Sequence, residues 1–424
     1  MKTWPTVIAA LLLFLALPAI LAAVRTPEPA PVAATPPPAS LTSAQREEIF
    51  LNMWSQVNRD YLYFDRRDVD WEAVREQYLP LARSASDVPQ FQTILRQALA
   101  EVNDSHLALY EGPGTVGRPH LWVEQDGDQI AIAWVDGGSD AEQAGLKPGM
   151  ILQEVDGLPI AEVWAREEAA AAASMAANQR WLGARNVVRG PMGSETTIVA
   201  ALPGQSPVKA TLVRSAKPDP YVSYVGKKEL PGGIVYIYIR TFADPEVIQS
   251  AEALLREVAQ KKPNGLIIDV RYNRGGSLDN VTRVGNPLFA KGTILAFQKD
   301  HTAGTTLQVD TTPPTVSYTG PLVVLTNQSC GSACDILATG MQQTKRATLV
   351  GENPCGAGIR YELRNLPYGF RMLFPMAEES LDRQGQPIEQ HPAQVDYRVA
   401  PTAADWAVGR DAALEKALAL LATP

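Results

Sequence analysis

Apolar positions from Leu41 onward recur at helical spacing. Phe50, Met53, Trp54 and Val57 form one face, with Ser43 offering a cap and Glu47 following it. A second helix is predicted to open at Asp70-Trp71, and a third to cover Val88 to Val102, before Asn103-Asp104-Ser105-His106. Between His120 and Arg214 the pattern changes to short strands and turns. Gln129 to Val135 is β-branched and strand-like. A short helix ending at Gly145, a Pro148-Gly149 turn, a strand and an Asp156-Gly157 hairpin turn follow. The alanine-rich run Ala161 to Asn178 reads as one helix, and Thr196 to Ala201 as a strand. From Tyr221 on, strands alternate with helices: Gly233 to Ile239, Pro245 to Gln260, Gly265 to Val270, Pro321 to Thr326, Ser332 to Gln343, Ala347 to Val350 and a closing helix Asp405 to Leu421. That alternation predicts an α/β core.

The first 40 residues do not fit this scheme. Lys2 precedes an apolar stretch from Val7 to Val24, the layout of an export signal with Leu21-Ala22-Ala23 as its best cleavage site. The stretch is also close to the length of a single membrane anchor. Thr26 to Ser40 is Pro/Ala-rich and reads as a semi-rigid tether. On either reading the rest of the chain lies outside the cytoplasm, in the periplasm or the medium. The 424 residues allow two or three domains, and a net charge of -8 without a basic run argues against nucleic acid or an anionic membrane surface as the main partner. A membrane would be met only through an N-terminal anchor. Three cysteines leave at least one thiol unpaired within the chain. Their spacing is not that of a zinc site, and no metal or cofactor is expected.

Four segments carry candidate chemistry. In Val323-Val-Leu-Thr-Asn-Gln-Ser-Cys-Gly-Ser332-Ala-Cys-Asp-Ile-Leu337 a buried strand meets a tight turn, and Ser332 opens a helix. Serine there is either a plain N-cap or a nucleophile whose oxyanion would meet the Ala333 N–H. Leu266-Ile-Ile-Asp-Val-Arg-Tyr-Asn-Arg-Gly-Gly276 ends a strand in two glycines, which could turn the chain or offer an N–H to a ligand. His106 is a candidate base, and His391 the one serious competitor among the four histidines. Glu389, in Pro-Ile-Glu-Gln-His-Pro, could orient a base or simply face solvent.

Taken together and in this order, these segments resemble the tail-specific, or C-terminal processing, serine proteases, and more closely their tricorn-core-like branch. Ile268-Asp-Val-Arg-Tyr-Asn-Arg-Gly-Gly276 matches that family's Asp-x-Arg-x-Asn-x-Gly-Gly segment. Asn327 to Asp335, followed by Arg346-Ala-Thr-Leu-Val-Gly-Glu352, matches its nucleophile segment, and Glu142 to Ile160 with Arg189 to Gly193 its PDZ module. The resemblance implies a multidomain α+β chain: an N-terminal helical region over 41–118 carrying the base, a PDZ-like β module over 119–215, and a crotonase/ClpP-like α/β catalytic core over 216–424. It implies Ser332 as nucleophile. Ala357 stands where Ser/Lys members place their lysine, so the base implied is His106, preceded by Ser105 and supported by Glu389, with Ser105 bridging to the carboxylate. Ala333 N–H and either Gly275 or Gly276 N–H would form the oxyanion hole, Arg274 replacing a glycine common in the family.

The implied function is an exported serine endopeptidase acting on proteins or their C-terminal tails. The alternative is a non-catalytic binding protein on the same fold, which would have no need to keep Ser332, His106, Ser105 and Glu389 together. A crotonase-type acyl-CoA enzyme fits neither export nor a PDZ-like insertion. Cys355 could pair with Cys330 or Cys334 and staple the active-site turn.

Overall fold

The structure is a computed structural model that describes residues 38–112, 115–215, 223–311 and 317–422. The predicted export signal or anchor, and nearly all of the tether, lie outside the described residues. Among the described residues no helix is long and apolar enough to cross a membrane.

Three amphipathic helices open the chain: Ser43–Asp60, Trp71–Ser84 and Val88–Ala100. Thr42 rather than Ser43 caps the first, in a capping box with Gln45. Asp70 and Asp87 cap the other two. Ile49, Phe50, Met53, Phe91 and Leu95 are fully buried together with Phe370, Met372 and Phe374 from far along the chain, so the helices share a core with the C-terminal half.

The PDZ-like module is a six-stranded antiparallel sheet, ordered Leu121–Asp126, Gln129–Val135, Ile151–Val155, Glu195–Ala201, Val208–Val213, with Leu158–Pro159 paired to Ile151–Val155. It has its own core around Leu121, Ile132, Leu152, Trp164 and Ile198. The alanine-rich run is not one helix. It forms Ile160–Ala169 and Ala176–Asn186, with a six-residue break between them. Alanine has the highest helix propensity, so the break runs against local preference. Burial of Ala170, Ala171, Ala173 and Ser174 against the rest of the molecule overrides it.

The core contains two sheets. The first runs Val225–Leu230, Ile234–Ile239, Gly265–Asp269, Leu322–Thr326, Thr348–Gly351, Tyr397–Arg398; its first pair is antiparallel and the rest parallel. Gly265–Asp269 and Leu322–Thr326 are buried throughout, as expected of strands covered on both faces. The second sheet is wholly antiparallel: Arg371–Leu381 pairs with Ala108–Leu109, Ile294–Asp300 and Ile359–Asn365, and Ile294–Asp300 with Thr305–Asp310. The crotonase/ClpP-like α/β expectation for the core needs correction here. Among the described residues four of the core's ten strands belong to this antiparallel sheet, which also recruits a strand from the N-terminal region. The strand–helix alternation along the chain carries no hint of it. The predicted closing helix is also two, Ala403–Val408 and Ala412–Leu421, separated by Gly409 in the left-handed conformation.

Candidate active site

Three loops leave the carboxyl ends of adjacent parallel strands and meet, the usual place for a site in such a sheet. Asp269 leads into the Gly275-Gly276 loop, Thr326 into the Ser332 turn and Gly351 into the loop 352–358.

Ser332 stands at the N-cap of Ala333–Gln343 with φ 55° and ψ −121°, and its side chain makes no capping bond. It is therefore not an ordinary capping serine. A non-glycine residue in this conformation is strained, and such strain is held by its surroundings. Cys330 and Cys334 bracket it in a disulfide, and Cys355 is the free thiol. Of the pairings left open by the sequence, neither one with Cys355 forms; the bonded cysteines are the two that lie four residues apart. Cys355 instead packs under the turn: a side chain at Gly331 would lie 2.7 Å from its Sγ, and its N–H donates to Cys330 O at 2.9 Å.

The glycine loop is locked from behind. Asp269 is fully buried and accepts from Arg271 Nε at 3.0 Å and Arg240 Nη2 at 2.9 Å. Burial pushes its pKa up, but Arg271 and Arg240 outweigh this and hold the carboxylate well below its ordinary range. Asn273 ties the loop to its neighbours. Its side chain donates to Ile239 O at 3.1 Å and accepts from Gly275 N–H at 2.8 Å, and its carbonyl accepts from Gly331 N–H at 3.1 Å. A Cβ at Gly275 would lie 2.8 Å from Ser332 Cβ, which explains the need for glycine there. The turn is fixed on its other side by Asp335, which accepts from Gly356 N–H at 2.8 Å and Ala357 N–H at 3.0 Å. Burial pushes the Asp335 carboxyl up to about 7. Ala357 is buried, its side chain offering no base.

His106 is buried and reaches the core because the strand just after it, Ala108–Leu109, pairs with Leu373 and Met372. Its ring stacks on Tyr361 at 5.4 Å, and its backbone N–H donates to Asp104 Oδ1 at 2.8 Å. Burial lowers its pKa, partly offset by the Asp104 charge, which favours the neutral imidazole a base requires. Its Nδ1 lies 3.4 Å from Ser105 Oγ. Among the described residues no hydrogen bond joins the Ser332 hydroxyl to the His106 ring. The other histidines are occupied elsewhere: His120 with Asp140 and Ser215, His301 with Glu379, and the exposed His391 with the Glu389 carbonyl.

Glu389 is buried and accepts from Gly358 N–H at 2.8 Å and Arg67 Nη2 at 3.0 Å. Burial, then Asp104, push its carboxyl up to about 7. Ser105 does not bridge to it directly. Ser174, from the break in the alanine-rich run, donates a short hydrogen bond to Glu389 Oε1 and stands 3.1 Å from Ser105 Oγ. Arg67 also binds Asp104 Oδ2 at 3.0 Å and the Tyr61 hydroxyl at 2.9 Å. Tyr61, Arg67, Asp104 and Ser174 were absent from the sequence-based site. Arg67 carries no sequence signal. Asp104 stands two residues before His106, and Ser174 is the one polar residue in the run 169–177.

Residues 233–399 match Peptidase family S41, and residues 42–100 match the Tricorn protease C1 domain. The chain is 25% identical to the carboxyl-terminal-processing protease of Synechocystis sp. over 353 residues, covering 78% of this chain and 76% of that protein. It is 26% identical to a putative tricorn protease homolog 2 of Streptomyces coelicolor over 391 residues, covering 83% of this chain and 30% of that longer protein. Among solved structures, mature CPAF superposes with a TM-score of 0.69 at 14% identity, covering 89% of this chain and 98% of that one. The photosystem II D1 C-terminal processing protease gives 0.52 at 22%, covering 87% and 98%. The core thus has the fold of the S41 processing proteases and not that of crotonase or ClpP. Two matched segments, 42–100 and 233–399, and relatives that cover 78% and 83% of the chain place it in one group: the chain belongs to the tail-specific, C-terminal processing serine endopeptidases of family S41.

Proposed function

We propose that the chain cleaves proteins or their C-terminal tails outside the cytoplasm, with Ser332 as nucleophile and His106 as base. The observation that carries this is the conformation of Ser332: strained, uncapped, at a helix N-terminus, against Gly275. His106 would take the Ser332 proton and return it to the leaving amine. Catalytic hydrogen bonds are often long in the absence of substrate, so the missing Ser332–His106 bond does not argue against the pair. Ser105 and Glu389 would orient the imidazole and favour its charged form. The N–H of Ala333, first in its helix, has no acceptor within the helix and suits the oxyanion. Gly275 N–H is committed to Asn273, which favours Gly276 for the second donor. Losing one such donor typically costs about 2.7–4 kcal/mol of transition-state stabilisation.

The PDZ-like module over 119–215 would present substrate tails by strand addition, beside a helical domain 41–118 carrying the base and a peptidase core 216–424. The Cys330–Cys334 disulfide suits an oxidising periplasmic or extracellular compartment, and the N-terminal apolar stretch would serve as signal or anchor. The test is cleavage of an unfolded protein substrate by the full chain, beside Ser332→Ala and His106→Ala. Loss in both variants is expected. Activity retained by Ser332→Ala would overturn the nucleophile; activity retained by His106→Ala alone would require another base.

A further inference from the structure

We infer that Ser174, carried by the PDZ-like module, is a positioning residue that closes a hydroxyl relay from His106 to Glu389. The inference rests on the reading of His106 as the base.

The polarity of the hydrogen bonds leaves little freedom. For His106 to accept the Ser332 proton at Nε2, its Nδ1 must carry hydrogen. The acceptor facing Nδ1 is Ser105 Oγ, at 3.4 Å. A serine hydroxyl has one proton to give, and having accepted from Nδ1 it gives that proton onward. The next oxygen is Ser174 Oγ at 3.1 Å, which also accepts the Ser105 backbone N–H at 3.0 Å. Ser174 in turn has a single proton, and its strongest acceptor is the Glu389 carboxylate. The Ser174 hydroxyl is also placed to donate to Ser105 Oγ; with its one proton committed to Glu389, that bond must run from Ser105 to Ser174, so that each hydroxyl accepts on the histidine side and donates on the carboxylate side. The relay Nδ1–H to Ser105, Ser105 to Ser174, Ser174 to Glu389 fixes the productive tautomer. It also places a negative charge at the far end of the imidazolium's hydrogen-bond chain. No proton need leave Nδ1 during turnover.

The segment is built for this. Residues 170–175 interrupt a run whose propensity is helical, and Ser174 is 4% exposed. Gln390 Nε2 donates to Ser174 O at 2.9 Å, and Asn178 donates a short bond to Cys355 O. The strap is thus held both to the Glu389 loop and to the loop under the nucleophile. The groups facing Glu389 are Arg67 and Asp104 from the N-terminal region, Tyr63 and Cys355, and the Ser174 hydroxyl and Gly358 N–H that bond it. The Ser174 bond favours the ionised carboxylate, so its removal raises the Glu389 pKa further.

The experiment measures kcat, KM and the pH dependence of kcat on a peptide substrate for the full chain and for Ser174→Ala, Ser174→Thr, Glu389→Gln, His106→Ala and the Ser174→Ala/Glu389→Gln double variant. A hydrogen bond to a charged group predicts a loss in kcat of about 10- to 100-fold for Ser174→Ala, with KM little changed. The acid limb of its profile should move to higher pH. Ser174→Thr, which keeps the hydroxyl, should restore most of the rate, and the double variant should be no worse than Glu389→Gln. Ser174→Ala with wild-type kcat and profile, beside an inactive His106→Ala, would overturn the relay and leave the base standing. An active His106→Ala would overturn both. Should Ser174→Ala fail to fold by its thermal melt, Ser174→Thr decides: a folded, hydroxyl-bearing variant with kcat as low as Glu389→Gln and an unshifted profile would reject the relay.

Discussion

At Ser332 backbone conformation and chemistry are opposed. A φ of 55° with ψ −121° costs a residue with a side chain on the order of 1–3 kcal/mol, and glycine much less. Ser332→Gly should therefore raise the melting temperature while abolishing cleavage, which thermal melts and a cleavage assay on the same preparation would check. Unchanged or lower stability would mean that the turn carries no strain. Glu389 shows a related conflict at the level of charge. Its folded pKa lies above that of the unfolded chain, so the folded state favours the protonated form. Its contribution to stability is present below the unfolded carboxylate range and is lost as pH rises through about 7. Activity needs the ionised form and should rise over that same interval. Glu389→Gln should accordingly flatten part of the dependence of melting temperature on pH between 5 and 8 while lowering kcat.

Among the elements, three ties that hold the nucleophile turn are the Cys330–Cys334 disulfide, Asp335 to the loop 352–358, and the Gly331 N–H to Asn273 O of the glycine loop. Reduction of the disulfide removes the first and should lower kcat without unfolding the core. The check is cleavage before and after treatment with a phosphine reductant, with circular dichroism as control, and full activity after reduction would show that the other two ties suffice. The sequence made much of this level legible. The three N-terminal helices and the buried strands followed from periodicity, whereas Ser332, His106 and Glu389 were singled out through the resemblance to a known family. The edges of the reading have physical causes. The antiparallel sheet joins Ala108–Leu109 to Arg371–Leu381, a pairing no local pattern encodes. The break at residues 170–175 opposes the helix propensity of alanine, and only tertiary burial decides it. Arg67 and Asp104 pair across the fold as a buried ion pair, and pairs of that kind leave no spacing to read.

Over the whole molecule, two of the contacts that fasten the PDZ-like module to the rest of the chain bear on turnover. The Ser174 strap is one. The other is the Gly149 turn, where a Cβ would lie 2.5 Å from Ala407 Cβ of the helix Ala403–Val408, and where Asp126 accepts the Ala403 N–H at 2.8 Å. Gly149 also holds φ +86°, so a side chain there is strained as well as crowded. Gly149→Val should loosen that fastening and lower kcat although the position is not among the site residues; wild-type kcat with a normal melt would show that the seat is dispensable for turnover.

The strap also bears on how such an enzyme can be taken apart. A peptide-binding module can ordinarily be exchanged for another of matching groove, because the boundary carries contacts and no chemistry. Here the boundary carries a hydroxyl. A chimera that grafts a foreign module onto this core would inherit a gap between Ser105 and Glu389 unless the graft brings a serine on a strap of the same reach. Substrate choice and proton handling are therefore inherited together, and a redesign of the first begins with an accounting of the second.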